Sequence, residues 1–330
     1  KTHPYIVVIL MHEYFRTIYP FDPFIEKRYA KKDIENINLC LKNNIEIIRN
    51  IKKSGSYFSK SNSLERYIGS YEKEKKYKTQ ELFGKLWEER SKRNFLNSKK
   101  ILSDSFKRNN FNIDFFKNKK ILDMGCGSGR FTIALASFGA KQVIGVDLGN
   151  KGLEIARKNA KANKLKNIKF VKGSVLNLPF KNNEFDFVFC KGVLHHTGNL
   201  QKGIKEFYRV MKKDAKGFLY LYGSGGIFWN SRKKMRSVMK HIPLEYTINI
   251  LDLIGMPAKR TIFSDSWYVP IEEHVSNKKL IEIFNKIGIK KFNRWEKGRK
   301  IELETMVFSK DAKMAKEIWG NGELRYIIEK

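Results

Sequence analysis

Two carboxylates, three glycines and a histidine pair are the residues of this chain with types and spacing suited to chemistry. Asp123 follows the apolar residues Ile121 and Leu122, and Gly125, Gly127 and Gly129 come directly after it. A segment so bare gives up side chains so that backbone N–H groups and the positive end of a helix can come close to a ligand. The dinucleotide fingerprint GxGxxG would need glycine where Arg130 stands, so its phosphate-binding spacing is not met and a nicotinamide dehydrogenase is disfavoured. Asp147 ends a second apolar run eighteen residues after Gly129, where a carboxylate can accept hydrogen bonds from both hydroxyls of a ribose. Together these residues suit a nucleoside carrying a small charged group, whereas each alone also fits a tight turn or a strand-end cap. His195 and His196 lie in "CKGVLHHT", and a histidine can take a proton near neutral pH without a large perturbation.

Alternating strands and helices must position these groups. Short β-rich runs are expected at Lys120–Met124, Gln142–Asp147, Ile168–Lys172, Phe185–Cys190 and Gly217–Tyr222, with helical patterns at Gly129–Phe138, Lys151–Asn163 and Leu200–Met211. Strands joined by such helices call for an α/β, doubly wound sheet with right-handed crossovers, and ligands bind at the carboxyl ends of its strands. A helix at Asn277–Ile287 and a strand pair near Lys290–Trp295 and Glu302–Ser309 would complete a seven-stranded, mostly parallel sheet with an antiparallel edge. The tail after Lys310 reads as a short peripheral helix. Further helices are expected at Thr79–Lys92 and Lys99–Arg108. Residues 1–75 carry a short strand, an amphipathic helix from Ile34 to Ile51 and a polar linker, and read as a segment of open role, the end of another domain. The expected division is therefore 1–75, a ligand-binding core at 76–223, an aromatic helical addition at 224–276, and 277–330.

Composition narrows the classes. The chain has 330 residues, 42% of them hydrophobic, and no apolar stretch approaching the ~20 residues of a membrane helix. A start at Lys1 without a leader pattern suggests a fragment. Cys40, Cys126 and Cys190 form no CxxC pair, which argues against a disulfide framework and a metal site and suits a reducing cytoplasm. A net charge of +32 points toward polyanions, but lysine is spread over nearly every segment, as a solvated surface would have it.

The ordered segments "ILDMGCGSGRFTIALASFGA", "VIGVDLG", "NIKFVKGSVLNLPFKNNEFDFVFCKGVLHHT" and "GFLYLYG" resemble the class I S-adenosylmethionine-dependent methyltransferases, in their type-11, ubiquinone-biosynthesis-like branch. The resemblance implies a Rossmann-like fold with S-adenosylmethionine as cofactor. It implies Asp123, Gly125, Cys126, Gly127 and Gly129 around the methionyl group and Asp147 with Leu148 at the ribose, with Lys191 completing the set. Where the branch usually has an acidic residue for the adenine amino group this chain has Ser174, for which its hydroxyl or the Val175 backbone would substitute. "CKGVLHHT" falls where cofactor and acceptor meet in the family, so His195 or His196 is a candidate base; the alternative is that the pair shapes the loop. Cys190 reads as core.

The addition "TIFSDSWYVPIEEHVS" resembles the branch in Asp265, Trp267, Tyr268 and His274, and places Trp267, Tyr268 and His274 as acceptor-binding candidates or as packing anchors. The leading expectation is a cytoplasmic methyltransferase acting on a small molecule or a sugar- or lipid-linked acceptor. A nucleic-acid or ribosome methyltransferase and a non-catalytic cofactor-binding scaffold are the alternatives.

Overall fold

The computed structural model describes residues 93–239, 260–298 and 314–330, with a few more at 242, 244, 247–248 and 307–308. The expected N-terminal strand, helices and linker before Arg93 lie outside the described residues, as does most of the helical stretch after Leu244. The chain divides into two compact units, one of residues 77–224, 270–308 and 321–330, the other of residues 1–76, 225–269 and 309–320.

The first unit is built on a seven-stranded sheet. Its strands are β1 (Lys120–Met124), β2 (Gln142–Asp147), β3 (Ile168–Lys172), β4 (Phe185–Lys191), β5 (Met211–Tyr222), β6 (Lys291–Arg294) and β7 (Glu323–Glu329), in the order β3-β2-β1-β4-β5-β7-β6. β1 to β5 pair in parallel, and β7 is antiparallel to both β5 and β6. Its described helices are α1 (Arg93–Arg108), α2 (Arg130–Ala136), α3 (Asn150–Ala162), α4 (Leu200–Val210) and, further along the chain, α7 (Asn277–Ile287).

Central strands of a parallel sheet are covered on both faces and so read as apolar runs. β1 and β4 meet this description, and Leu122 pairs with Ile144 on one side and Val188 on the other. β4 alternates Phe187 and Phe189 toward one buried cluster with Val188 and Cys190 toward the other. Phe116 has no exposed surface and its ring lies 4.9 Å from that of Phe187; truncating such a ring to alanine costs about 3–5 kcal/mol. α4 starts at the Asn199 cap, whose side chain accepts from Lys202 N–H at 3.1 Å, and α7 ends at Gly288 in the left-handed region.

Two expectations need correction. α1 begins at Arg93, ahead of the expected Lys99. The seventh strand is Glu323–Glu329 in the tail, which was expected to be helical and peripheral. Among the described residues of the tail, the short helix α8 (Ala315–Trp319) precedes it. Residues 307 and 308 are helix and turn, and the rest of the strand expected at Glu302–Ser309 lies outside the described residues. The reason is the pairing partner: β7 slots between β5 and β6, so Leu324 and Ile328 are buried, and Arg325, which interrupts the apolar run, is buried beside Glu323.

The second unit holds α5 (Gly226–Met239), α6 (Arg260–Tyr268) and α8. Gly226 has φ +69, and a Cβ there would stand 2.4 Å from Gly320 N. Phe228 packs 5.2 Å from Trp319, and the Arg236 guanidinium donates to the carbonyls of Ser266 and Val269.

Candidate functional site

The loop after β1 is tied to β2 first through its backbone. Gly125 N and Cys126 N both donate to Val146 O, at 2.8 and 3.0 Å, tying the loop to β2. Gly125, Gly127 and Gly129 have φ of 82°, 52° and 78°, a region L side chains seldom enter. A Cβ on Gly125 would lie 2.5 Å from the Val193 methyls, and one on Gly129 would lie 2.8 Å from Ala156 Cβ. Two of these glycines therefore answer to neighbours within the protein as well as to a ligand.

Asp147, at the carboxyl end of β2, is the brace of the loop. Oδ2 accepts from Gly127 N and Oδ1 from Gly149 N, each at 2.8 Å. Burial raises its pKa, and the N–H groups of Gly149 and Gly127 work against that rise. Asp123 is almost fully buried and accepts from the Thr132 hydroxyl at 2.6 Å. Its pKa is pushed up to about 7, chiefly by burial, with the Asp147 charge adding to the rise and Thr132 opposing it. Cys126 is buried beneath the loop and burial pushes its thiol pKa up, so its side chain is packing. Leu148 is 50% exposed. Ser174 sits in a turn after β3, its hydroxyl accepting from Leu176 N at 3.2 Å, and Val175 packs on the core.

At the carboxyl ends of β4 and β5 a second group forms. Lys191 Nζ lies 4.2 Å from the Tyr220 ring centre and 5.8 Å from that of Phe131. His195 and His196 lie in one 3-10 turn, Leu194–His196, with ring centres 4.2 Å apart. His195 is fully buried and stacked on Tyr222 at 3.9 Å. The Tyr222 N–H donates to His195 Nδ1 at 3.4 Å, so the proton of the neutral ring belongs on Nε2. His196 is the opposite case. Its Nδ1 lies 2.8 Å from the Ile271 carbonyl, which can only accept, so Nδ1 carries the proton and the neutral ring has its lone pair on Nε2.

The segment that supplies Ile271 also binds the pair through its backbone. Glu273 N donates to His195 O at 2.7 Å, and Val275 N to Tyr222 O at 3.3 Å. His274 donates from Nε2 to the Glu272 carboxylate at 2.8 Å, and its ring lies 6.4 Å from that of Tyr222. The structure thus brings His274 to His195, His196 and Tyr222. Trp267 and Tyr268 belong to the other unit, where Trp267 packs 4.4 Å from Phe263 and the Tyr268 hydroxyl lies 2.5 Å from Thr247 Oγ1.

Thr132, Tyr222, Ile271 and Glu272 were not singled out from the sequence. Tyr222 was legible as the last aromatic of an apolar strand. The role of Ile271 is carried by its carbonyl, which no side-chain pattern reveals.

Comparisons with known proteins bear on the family of the chain. A family profile described as "Methyltransferase domain" matches residues 115–224. The uncharacterized methyltransferase YcgJ of Bacillus subtilis is 31% identical over 100 residues, 30% of this chain and 39% of that protein. A demethylmenaquinone methyltransferase of Chlorobaculum tepidum is 30% identical over 178 residues, 53% of this chain and 67% of that protein. A putative S-adenosyl-L-methionine-dependent methyltransferase of Methanococcus maripaludis is similar in structure, with TM-score 0.48, 20% identity, and coverage of 78% of this chain and 95% of that one. The chain spans less than half the length of the first curated relatives it matches. On the methyltransferase-domain match and the Chlorobaculum relative, the chain belongs to the class I S-adenosylmethionine-dependent methyltransferases.

Proposed function

We propose that the protein transfers a methyl group from S-adenosylmethionine to a small-molecule acceptor bearing an ionisable hydroxyl, and that the acceptor is a quinol-type ring. The observation that carries the cofactor assignment is Asp147. Its oxygens accept from the N–H groups of Gly127 and Gly149, with the Leu148 N–H also directed at the carboxylate, and the lone-pair capacity left over can take a ribose hydroxyl, so the donor set fits the nucleoside. Leu148 offers exposed apolar surface for the adenine face. The Ser174 hydroxyl, which accepts one N–H, keeps a lone pair for the adenine amino group in place of the branch's acidic residue. Asp123 is the carboxylate for the methionyl ammonium, and the loop from Gly125 to Gly129 leaves room for its carboxylate. When bound, the cofactor supplies an electrophilic methyl group on a sulfonium.

The chain's own work at the acceptor is orientation and proton removal. The Ile271 carbonyl fixes His196 with Nε2 as the accepting atom, so His196 is the base for the hydroxyl. His195, with its proton on Nε2, acts as a donor and positioning group stacked on Tyr222. Moving the hydroxyl proton to His196 Nε2 raises the electron density of the acceptor where it meets the methyl group, and alignment of that approach supplies much of the rate. The quinol-type ring is suggested by relatives named demethylmenaquinone methyltransferase.

The test supplies the purified chain with methyl-labelled cofactor and, in parallel, demethylmenaquinol, a soluble hydroquinone and transfer RNA. Label in the quinols that disappears in His196→Gln supports the reading. Label in the RNA alone contradicts it.

A further inference from the structure

One edge of the sheet carries a basic run with no acidic residue in it. From Ile155 to Asn183 there is no acidic residue, while eight lysines and arginines fall in the same stretch. Arg157, Lys158 and Lys161 lie on α3, Lys164 and Lys166 follow in the connection, and Lys169 lies on the edge strand β3, all exposed. Among the described residues none of these six forms an ion pair. Lysines elsewhere on the sheet do, Lys120 with Glu184, Lys212 with Asp186 and Lys216 with Glu329. At the opposite edge, α7 carries Lys278, Lys279 and Lys286, and Glu282 pairs with Lys279 at 3.4 Å.

Uncompensated cations along one edge complement a polyanionic surface. The stretch has two aromatic residues, Phe170 and Phe180, and both are partly buried, Phe170 being wedged behind Gly129 and Gly145. The edge can therefore meet phosphates but offers no exposed ring on which bases would stack. A lipid surface asks only for the charge. Among the described residues no helix is long and apolar enough to cross a membrane, and an apolar quinol acceptor held in a bilayer is reached through the bilayer surface.

We propose that the α3–β3 edge is a docking surface for an anionic lipid bilayer, which keeps the protein beside a membrane-dissolved acceptor; this rests on the quinol reading of the acceptor. The test is co-sedimentation of the full chain with vesicles of phosphatidylcholine alone and of phosphatidylcholine with an equal part of phosphatidylglycerol, over a salt series. Binding is expected only to the anionic vesicles and is expected to fall with salt. The triple variant Lys158→Glu, Lys161→Glu, Lys169→Glu is expected to lose at least about tenfold in vesicle partition. The same change at Lys278, Lys286 and Lys290, by the opposite edge, is expected to retain it.

Equal losses in the two triple variants, equal binding to neutral vesicles, or salt-sensitive binding of RNA without binding of vesicles would each overturn the proposal. Titration of every sample with S-adenosylmethionine separates this outcome from the fate of the methyltransferase reading. Cofactor binding without vesicle binding removes the docking surface alone, and vesicle binding without cofactor binding removes the methyltransferase reading and with it the acceptor that docking would serve, leaving only the lipid contact.

Discussion

The carboxyl ends of β1 and β2 and those of β4 and β5 belong to one sheet, and they are built by opposite means. At the first pair the parts come from one contiguous stretch, and backbone N–H groups of Gly125, Cys126 and Gly127 are tied to Val146 and Asp147. At the second pair the parts are side chains brought from afar: His196 finds the carbonyl of Ile271 75 positions away, and Tyr222 comes from another strand. Backbone geometry supported by glycines tolerates little change, whereas an assembly of side chains can be replaced piecemeal. On the proposed reading, one sheet keeps a constant cofactor site at β1 and β2 while the acceptor site is varied at β4, β5 and the segment from Ile271 to Val275.

If the second region does chemistry and the first only binds, their variants must separate. His196→Gln is expected to lower the transfer rate by about 10²–10⁴-fold while leaving cofactor affinity unchanged. Single-turnover assays and calorimetry together check this, and a parallel loss of affinity would merge the two regions. Gly129→Ala acts on the first region: a positive φ and a Cβ 2.8 Å from Ala156 are expected to cost about 3 kcal/mol in thermal unfolding and to weaken the cofactor. Asp147→Asn keeps one acceptor oxygen of two, and about 2 kcal/mol of cofactor affinity should go with the other, with the acceptor's own affinity unchanged.

The smallest expected effect is a pH dependence. The folded pKa of Asp123 is about 7, above its model-peptide 3.8, so the folded protein holds a proton that the unfolded chain releases. Stability from this group is complete below about 4 and is lost as pH rises through about 7. A cofactor ammonium beside Asp123 favours the ionised form, so affinity for S-adenosylmethionine should rise about fivefold from pH 6 to 7.5, and the rise should vanish in Asp123→Asn. A flat profile in the unaltered protein would separate Asp123 from the ammonium.

Legibility in the sequence followed the same division. The bounds of β1, β2 and β3 match those expected: β1 and β2 are covered on both faces and leave a nearly unbroken hydrophobic trace, whereas the edge strand β3 is marked by alternation of apolar residues with lysine. The bare loop and Asp147 could be found because glycine and a strand-end carboxylate are themselves the signal. That Asp147 also braces the loop was not legible, since a backbone N–H leaves no mark in residue identity. The seventh strand was missed because Arg325 interrupts "LRYII", and its burial depends on Glu323 and on β5, which no local pattern records. The two histidines were visible as a pair, but their different proton positions depend on Tyr222 N and Ile271 O.

The central claim is that the carboxyl ends of β1 and β2 hold S-adenosylmethionine. Calorimetric titration with S-adenosylmethionine, S-adenosylhomocysteine and NAD, on the unaltered chain and on Asp147→Asn, tests it most directly. The account predicts binding of both sulfur ligands, weakened in the variant, and none of NAD. Failure of a folded chain to bind either sulfur ligand, or equal affinity in the variant, would contradict it.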